Sequence, residues 1–191
     1  MRSCPLLLAT IACVWLPVRS TADTVRVAIC QVQAVDGDLA GDLARAEDFV
    51  ERAAASGARI AVFPELVDVG FGKIVKETRG GENARPVPGE TSTRFGALAR
   101  KHDLWIAAAL LEAVPGGAYD TSVLIDNRGT VALKQRKLVA YPVFGGAAAF
   151  QGNYQDMQTV PSPWGPIGLM NCRDADGSNA RALREKSTDA S

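Results

Sequence analysis

The chain has 191 residues, and its 21 basic and 21 acidic side chains give a formal net charge of zero. A balanced charge creates no long-range field that would attract nucleic acid or an anionic membrane, so we expect neither as a partner. The length suits one domain with a substantial core, and no linker or shift in composition indicates a second domain.

The first 22 residues predict an export signal. Arg2 provides a positive charge, residues 5–18 are mostly apolar, and residues 20–22 are small enough for a cleavage site. We therefore expect a mature chain of residues 23–191 in the periplasm or outside the cell. The apolar run is shorter than the ~20 residues that a spanning helix needs, so we expect no membrane span in the mature chain.

Beyond this leader, the periodicity of apolar residues predicts strands interleaved with helices. In chain order we expect strand 25–30, helix 39–53, strand 59–63, helix 91–102, strands 104–111, 119–125, 130–134 and 167–171, and helix 179–186. This interleaving indicates an α/β or layered α+β fold. Residues 66–89 and 141–163 lack periodicity and predict irregular connections, and long loops in compact domains are often functional.

Four cysteines are distributed between the leader and the mature chain. Cys4 and Cys13 lie in the leader, so the mature chain keeps Cys30 and Cys172. Because Cys30 falls within a strand pattern, where a small buried hydrophobe is the ordinary role, we expect both thiols to be free rather than paired. Lipidation of Cys13 is the weaker alternative, since the apolar run continues beyond it.

Three side chains with complementary chemistry follow strand patterns. Glu65 follows strand 59–63, Lys137 follows the hairpin strand 130–134, and Cys172 ends strand 167–171. Strand ends are where α/β proteins place reacting groups.

A thiol nucleophile requires a base, which Glu65 could provide, and an oxyanion donor, which Lys137 could provide. A helix starting after Cys172 would further favour the thiolate. Taken singly, the three side chains could instead be a buried thiol and two solvated surface charges.

The segments around these residues resemble a known family. Val62-Phe63-Pro64-Glu65, Arg136-Lys137-Leu138 and Gly168-Leu169-Met170-Asn171-Cys172-Arg173-Asp174 are similar, in order and spacing, to three signature segments of the nitrilase superfamily, the carbon-nitrogen hydrolases. Residues 119–126 resemble the strand ahead of the lysine segment. The resemblance extends from residue 25 to about residue 186.

The resemblance implies a Glu-Lys-Cys triad in an α-β-β-α sandwich that usually forms a homo-oligomer. Glu65 would be the general base, Lys137 the oxyanion stabiliser and Cys172 the nucleophile. Glu112 falls where a second glutamate would lie, with a solvated loop carboxylate as the alternative. The implied reaction hydrolyses a small amide or N-carbamoyl substrate with water through a thioester, without a metal or an organic cofactor.

Two departures from the family pattern lead to further expectations. Residues 173–179 lack the Pro-Glu pair that commonly follows the cysteine, so the pocket and the helix entry there could differ. Family members also continue for several strands and helices past the nucleophile, so we expect an incomplete C-terminal part that leaves an unpaired apolar sheet edge and an uncovered face. The alternative function is therefore a non-catalytic homologue that binds a small amide or a partner chain.

A different enzyme class would pair Cys172 with His102, the one histidine, as a Cys-His thiol hydrolase. His102 lies between a helix and a strand pattern, where a surface turn is the better interpretation. One histidine and two distant cysteines offer no metal-ligand spacing.

Overall fold

A five-stranded mixed sheet organises the fold in a computed structural model that describes residues 24–71, 83–139 and 150–175 together with Arg181. The helices and strands are, in chain order, β1 Val27–Ile29, α1 Leu39–Ala55, β2 Ile60–Val62, α2 Glu90–His102, β3 Trp105–Val114, β4 Gly117–Ile125, β5 Val131–Arg136, β6 Thr159–Val160 and β7 Ile167–Gly168. Two 3-10 helices, Tyr154–Asp156 and Cys172–Ala175, lie before β6 and after β7.

The strand directions bring several strand ends to one edge of the sheet. The spatial order is β1-β2-β3-β4-β5, with β1, β2 and β3 parallel and the pairs β3·β4 and β4·β5 antiparallel. The C-terminal ends of β2, β3 and β5 therefore share an edge with the beginning of β4. Residues that follow β2 and β5 are brought together there, although more than 70 positions separate them in sequence.

The two faces of the sheet are covered differently. Helices α1 and α2 pack on one face, where Val50 and Phe95 join Ile106 and Leu110 in the largest apolar cluster. The small sheet of β6 and β7 packs on the other face, and Trp164 between these strands makes an edge contact with a β3 aromatic ring at a centroid distance of 6.0 Å. The predicted α/β class is confirmed.

Local side-chain chemistry fixes the start of α1. The Asp38 carboxylate accepts a hydrogen bond from the Gly41 N–H at 3.1 Å, which is the usual N-cap arrangement. Asp42, buried in the first turn, accepts the Val35 N–H at 2.7 Å and contacts Arg45. The helix ends at Ala55, close to the predicted stop.

Strand β1 leaves apolar side chains in solvent. Val27 is 42% exposed and Ile29 67% exposed, whereas the intervening Ala28 packs against the main core. No strand in the described ranges pairs with the outer edge of β1. Among the described residues, β1 is therefore an unpaired edge strand with exposed apolar side chains, whereas the expected incompleteness of the C-terminal part stays a prediction.

Most predicted elements are present, and the differences are local. Strand β3 is longer than predicted and joins β4 through a tight turn at Gly116, which has a φ of 84°. β6 and the first 3-10 helix lie in the predicted irregular region, and β7 is only two residues long. The predicted leader, part of both irregular connections and helix 179–186, except for helical Arg181, lie outside the described residues.

Helix α2 approaches the β4–β5 turn so closely that two glycines meet. A Cβ placed on Gly96 would lie 2.5 Å from the Gly129 carbonyl oxygen, and a Cβ on Gly129 would lie 2.5 Å from the Gly96 oxygen. Gly129 also has a φ of 84°, a conformation that disfavours other residues. The two glycines therefore set the distance between α2 and the sheet.

We expect Gly96→Ala to destabilise the protein by about 1 to 3 kcal/mol, because the added methyl group must push backbone away from backbone. Denaturant unfolding of the variant measures the loss. Thr93→Ala, at an exposed position of the same helix, is the control and should change stability by no more than about 0.5 kcal/mol. Equal stability of Gly96→Ala and wild type would contradict the close packing.

Candidate active site

Glu65 lies at the tip of a short excursion between β2 and β3. The Phe63 N–H donates to the Ala107 carbonyl at 2.8 Å, and the Val67 N–H donates to the Ala109 carbonyl at 3.1 Å. The chain thus advances four residues while β3 advances two, and the extra residues loop out. This excursion presents the Glu65 carboxylate at the edge of the sheet.

Two buried residues fix the excursion. Leu66 is fully buried and has a φ of 51°, so the chain turns sharply directly after Glu65. Asp68 is also buried and accepts the Leu111 N–H at 3.2 and 3.4 Å with its two carboxylate oxygens. Burial raises the pKa of Asp68 to about 7.

Lys137 follows β5 and is only 2% exposed. Its ammonium contacts the Glu65 carboxylate and lies 3.4 Å from Asp120 Oδ2. The Lys137 N–H donates to the Asp120 carbonyl at 2.9 Å, and its own carbonyl accepts the Gly152 N–H at 2.8 Å. The lysine predicted to stabilise an oxyanion is therefore buried beside the predicted base.

The charges around Lys137 keep it protonated. Burial disfavours the ammonium, but the hydrogen bond to Glu65 and the electrostatic effects of the neighbouring acidic groups of Asp120 and Glu65 outweigh it and raise the pKa of Lys137. The pKa of Asp120 is raised well above its ordinary value by burial and by the neighbouring Glu65, although Lys137 acts in the opposite direction.

Cys172 occupies a sharp turn that β4 holds on one side and the lysine segment holds on the other. Its φ is 51°, and its side chain is exposed. Before it, the Asn171 side-chain amide donates to Asp120 Oδ1 at 2.7 Å. After it, Asp174 Oδ1 accepts the backbone N–H groups of Leu138 and Val139, each at 3.0 Å.

These contacts bring Glu65, Lys137 and Cys172 into one neighbourhood. Directly at the thiol, Cys172–Ala175 is a 3-10 helix of four residues. The predicted helix 179–186 lies outside the described residues except for Arg181, so its effect on the thiol stays a prediction. Backbone hydrogen bonds from the lysine segment hold the turn at the thiol. Cys30 is buried, and both described cysteines are free, as expected.

Glu112 is placed apart from these three residues. It lies in β3, where its carboxylate accepts hydrogen bonds from Lys134 at 2.7 Å, Arg136 at 2.9 and 3.1 Å and Thr121 at 2.8 Å. Side chains alternate along a strand, so Thr121 shares a face of β4 with Val123 and Ile125, which pack against the helices, and Asp120 points to the other face. The Glu112 cluster is therefore on the helix side of the sheet. Glu112 is buried, so the solvated-loop alternative is wrong. Its catalytic role stays a prediction.

His102 is far from the thiol in the architecture. It is the last residue of α2, which packs on the face of the sheet opposite β7, and it precedes the N-terminal end of β3. Cys172 follows β7, on the other face. The arrangement therefore offers no support for a Cys-His pair.

An open cleft of about 830 Å³ borders Glu65. Its lining residues are Val32, Gln33, Ala34, Val35, Asp36, Pro64, Glu65, Gly70 and Phe71. Cys172 is not among them, so the cleft touches the triad through Glu65. A small substrate could reach the carboxylate from this side.

Within the described parts of the chain, no group of three or more His, Cys, Asp or Glu side chains is arranged to hold a metal ion. The helices of these parts are also too short or too polar to cross a membrane.

Sequence reasoning missed two residues that join the site together. Asn171 lies in a signature segment and Asp120 lies in the strand that resembles the one ahead of the lysine segment, but the sequence predicts no role for either. Their signal is a buried polar side chain beside apolar neighbours, which requires a partner. The partner becomes visible only when β4 and the residues after β7 are placed together.

Comparison with known proteins identifies the family. A model of the carbon-nitrogen hydrolase family matches residues 26–188, and the chain belongs to that family. The chain is 26% identical over 165 residues to an aliphatic nitrilase of Rhodococcus rhodochrous, covering 78% of this chain and 44% of the relative. It is 27% identical over 158 residues to an omega-amidase of Mus musculus, covering 79% and 55%.

The structural comparison agrees with the fold. An amidase from a Nesterenkonia species matches with a TM-score of 0.74 and 23% identity, over 85% of this chain and 61% of the amidase. The chain spans about half the length of the curated relatives named above. The resemblance to the nitrilase superfamily is thus confirmed, as is the fold class.

Asp68→Asn should alter how stability depends on pH. Asp68 has an ordinary pKa of 3.8 and a folded pKa of about 7. As the pH rises between these values, the unfolded chain loses this proton while the folded chain keeps it, so Asp68 lowers stability by up to about 4 kcal/mol. The variant should therefore gain stability relative to wild type from about pH 4 to pH 7. Urea unfolding across that range measures the gain.

Asp126→Asn is the matched control for that experiment. Although burial opposes it, hydrogen bonds from Thr130 and Arg128 lower the pKa of Asp126. The contribution of the Asp126 charge to stability is fully present above the ordinary pKa of the carboxyl group. It is lost only when the pH falls through the lower pKa of the folded state. This variant should show a constant deficit at pH 5 to 7. Parallel curves for Asp68→Asn and wild type would contradict the assignment.

Glu112→Gln tests whether the Glu112 cluster acts in structure or in catalysis. We expect a loss of about 1 to 3 kcal/mol in stability, because Lys134 and Arg136 lose their charged acceptor. We expect no change in the alkylation rate of Cys172 in the folded protein, measured by mass spectrometry. A large drop in that rate at unchanged stability would instead support a catalytic Glu112.

Proposed function

We propose that the protein is a cysteine hydrolase that cleaves non-peptide carbon-nitrogen bonds of small amide or N-carbamoyl substrates. The observation that carries the proposal is the buried Lys137 ammonium in contact with Glu65, beside a cysteine turn that Asp120 of β4 holds at one end and the backbone after Lys137 holds at the other. Membership of the carbon-nitrogen hydrolase family supports this reading.

In the first half of the reaction, Glu65 accepts the proton of the Cys172 thiol, and the sulfur attacks the substrate carbonyl carbon. The carbonyl electron pair moves to oxygen, and Lys137 donates a hydrogen bond to this oxyanion. When the tetrahedral intermediate collapses, the carbon-nitrogen bond breaks and Glu65 returns its proton to the leaving nitrogen. The products at this stage are an amine or ammonia and a thioester.

Water completes the cycle. Glu65 removes a proton from a water molecule, the resulting hydroxide attacks the thioester, and the carbon-sulfur bond breaks as the sulfur regains a proton. The acid product leaves. Every step is a proton transfer or an acyl transfer between these side chains, the substrate and water, so the proposal includes no metal and no organic cofactor.

The hydrogen-bonding capacity of Lys137 is compatible with this role. An ammonium has three N–H donors, and among the described residues Glu65 and Asp120 account for two of them. One donor is left for a substrate oxygen. Because Lys137 remains protonated, as the raised pKa indicates, that donor carries a positive charge.

The donor that Lys137 provides suits the carbonyl oxygen of an amide or carbamoyl substrate, which is the substrate class we propose. The relatives include proteins named for nitriles and for amides, and either bond is open to thiol attack. We further propose export after removal of residues 1–22 and self-association as a homo-oligomer. The exposed Val27 and Ile29 side chains are consistent with self-association.

The triad is tested by alkylation of the intact chain with iodoacetamide near neutral pH, with peptide mass spectrometry to follow each cysteine. We expect Cys172 to react at least about tenfold faster than buried Cys30. Glu65→Gln and Lys137→Met should each slow Cys172 by about tenfold or more, because one removes the base and the other the adjacent positive charge. The rate for Cys30 should not change.

Lys134→Met is the matched control, since Lys134 lies in the Glu112 cluster on the other face of the sheet. It should leave the labelling rate of Cys172 within about twofold of wild type, because substitutions at separated sites act independently. If Cys30 and Cys172 are labelled slowly and at equal rates, and Glu65→Gln does not change the rate for Cys172, the catalytic proposal is contradicted. A non-catalytic homologue that binds a small amide or a partner chain would then be the remaining interpretation.

A further inference from the structure

Asp120 connects the two segments that carry Lys137 and Cys172. Its carbonyl accepts the Lys137 backbone N–H at 2.9 Å, and its Oδ2 lies 3.4 Å from the Lys137 Nζ. Its Oδ1 accepts the Asn171 side-chain amide at 2.7 Å, one residue before the cysteine. Asp120 and Asn171 are both buried, so water competes little for these contacts.

We propose that Asp120 is a positioning residue, and this rests on the function proposed above: its two carboxyl oxygens hold Lys137 and Asn171 together and so set the Cys172 turn relative to the ammonium. Asp120 does not itself touch the substrate. Its effect on the reaction passes through Lys137 on one side and through Asn171 on the other.

The contact made by Asp174 does not replace this role. Asp174 binds the backbone N–H groups of Leu138 and Val139, so it fixes the main chain that follows the lysine. The Asp120 carboxyl group reaches the lysine side chain itself. Among the described residues, Asp120 is therefore the link between the reacting ammonium and the residue next to the cysteine.

The charge balance of the site indicates whether Asp120 holds Lys137 and Asn171 in its protonated or its ionised form. Glu65 and Asp120 share one ammonium, and two ionised carboxylates beside it would leave an uncompensated negative charge in a buried site. Burial, followed by the hydrogen bond and charge of Glu65, favours the protonated form of Asp120 by raising its pKa. A neutral Asp120 leaves the Lys137 ammonium to Glu65, with which it is in direct contact.

A neutral carboxylic acid has a close structural substitute in asparagine. Both groups offer one carbonyl oxygen as an acceptor and at least one N–H or O–H donor from the same planar frame. In Asp120→Asn the amide oxygen can accept from the Lys137 ammonium, and the amide N–H can donate to the Asn171 side-chain oxygen once the Asn171 amide turns over, so both links are kept. Asp120→Ala removes both. If Asp120 acts by positioning, Asp120→Asn should behave like wild type and Asp120→Ala should not. If the side chain only fills space in β4, the two variants should behave alike.

The test uses the full chain and the iodoacetamide labelling of Cys172, with Cys30 as the internal reference and thermal unfolding to confirm that each variant is folded. Asp120→Ala and Asn171→Ala should each slow Cys172 labelling by about tenfold to a hundredfold, because a small displacement of a reacting group costs this much. Asp120→Asn should restore the rate to within about threefold of wild type, as expected for retained contacts. The double alanine variant should be no slower than the slower single variant, because both remove the same link.

Ser122→Ala is the matched control. Ser122 is the next residue on the same face of β4 and is also buried, so its truncation perturbs the strand without touching Lys137 or Asn171. It should leave the Cys172 rate unchanged.

The outcomes separate this proposal from the proposed function. A fast wild-type Cys172 that slows in Glu65→Gln but not in Asp120→Ala overturns the positioning role alone. Equal losses in Asp120→Ala and Asp120→Asn, or additive losses in the double variant, also overturn it. A wild-type Cys172 no faster than Cys30 overturns the proposed function and the positioning role together.

Discussion

The burial of one ammonium group at the edge of the sheet is the constraint on which the rest of the site depends. Removing a lysine charge from water costs several kcal/mol, and the fold must offset this cost with partners of opposite charge. Lys137 finds its charged partner in Glu65 and a second hydrogen-bonding partner in the carboxyl group of Asp120. Because these partners come from the excursion after β2 and from β4, the ammonium is satisfied only when the central strands are in register.

The alternation of side chains across the sheet separates two polar clusters that are close in sequence. Asp120 and Thr121 are neighbours in β4, yet one joins Lys137 and the other joins Glu112 on the helix side. A shift of one residue in the register would exchange the two faces. The pairing of β4 with its neighbouring strands therefore holds both the structural ion pairs and the candidate active site in place. A change in the register of these strands should affect both.

Much of the fold was predictable because it follows local periodicity. Helices α1 and α2 and the hairpin of β4 and β5 were predicted to within a few residues, since their apolar spacing and turn residues are local signals. The short pair of β6 and β7 was not predicted as a sheet, because two-residue strands carry no periodicity. The exposed side chains of β1 also could not be read from its alternating pattern, because burial depends on what covers the face.

The sequence by itself determined the family segments, the order of the strands and helices and the three residues of the proposed triad, because each is written in a short run of neighbouring residues. Only the tertiary structure decided which polar side chains share a face. It placed Glu112 in a separate ion-pair cluster and joined Asp120 to Asn171 across 51 positions. Such contacts depend on strand register and on sheet sides, which no local run of sequence encodes.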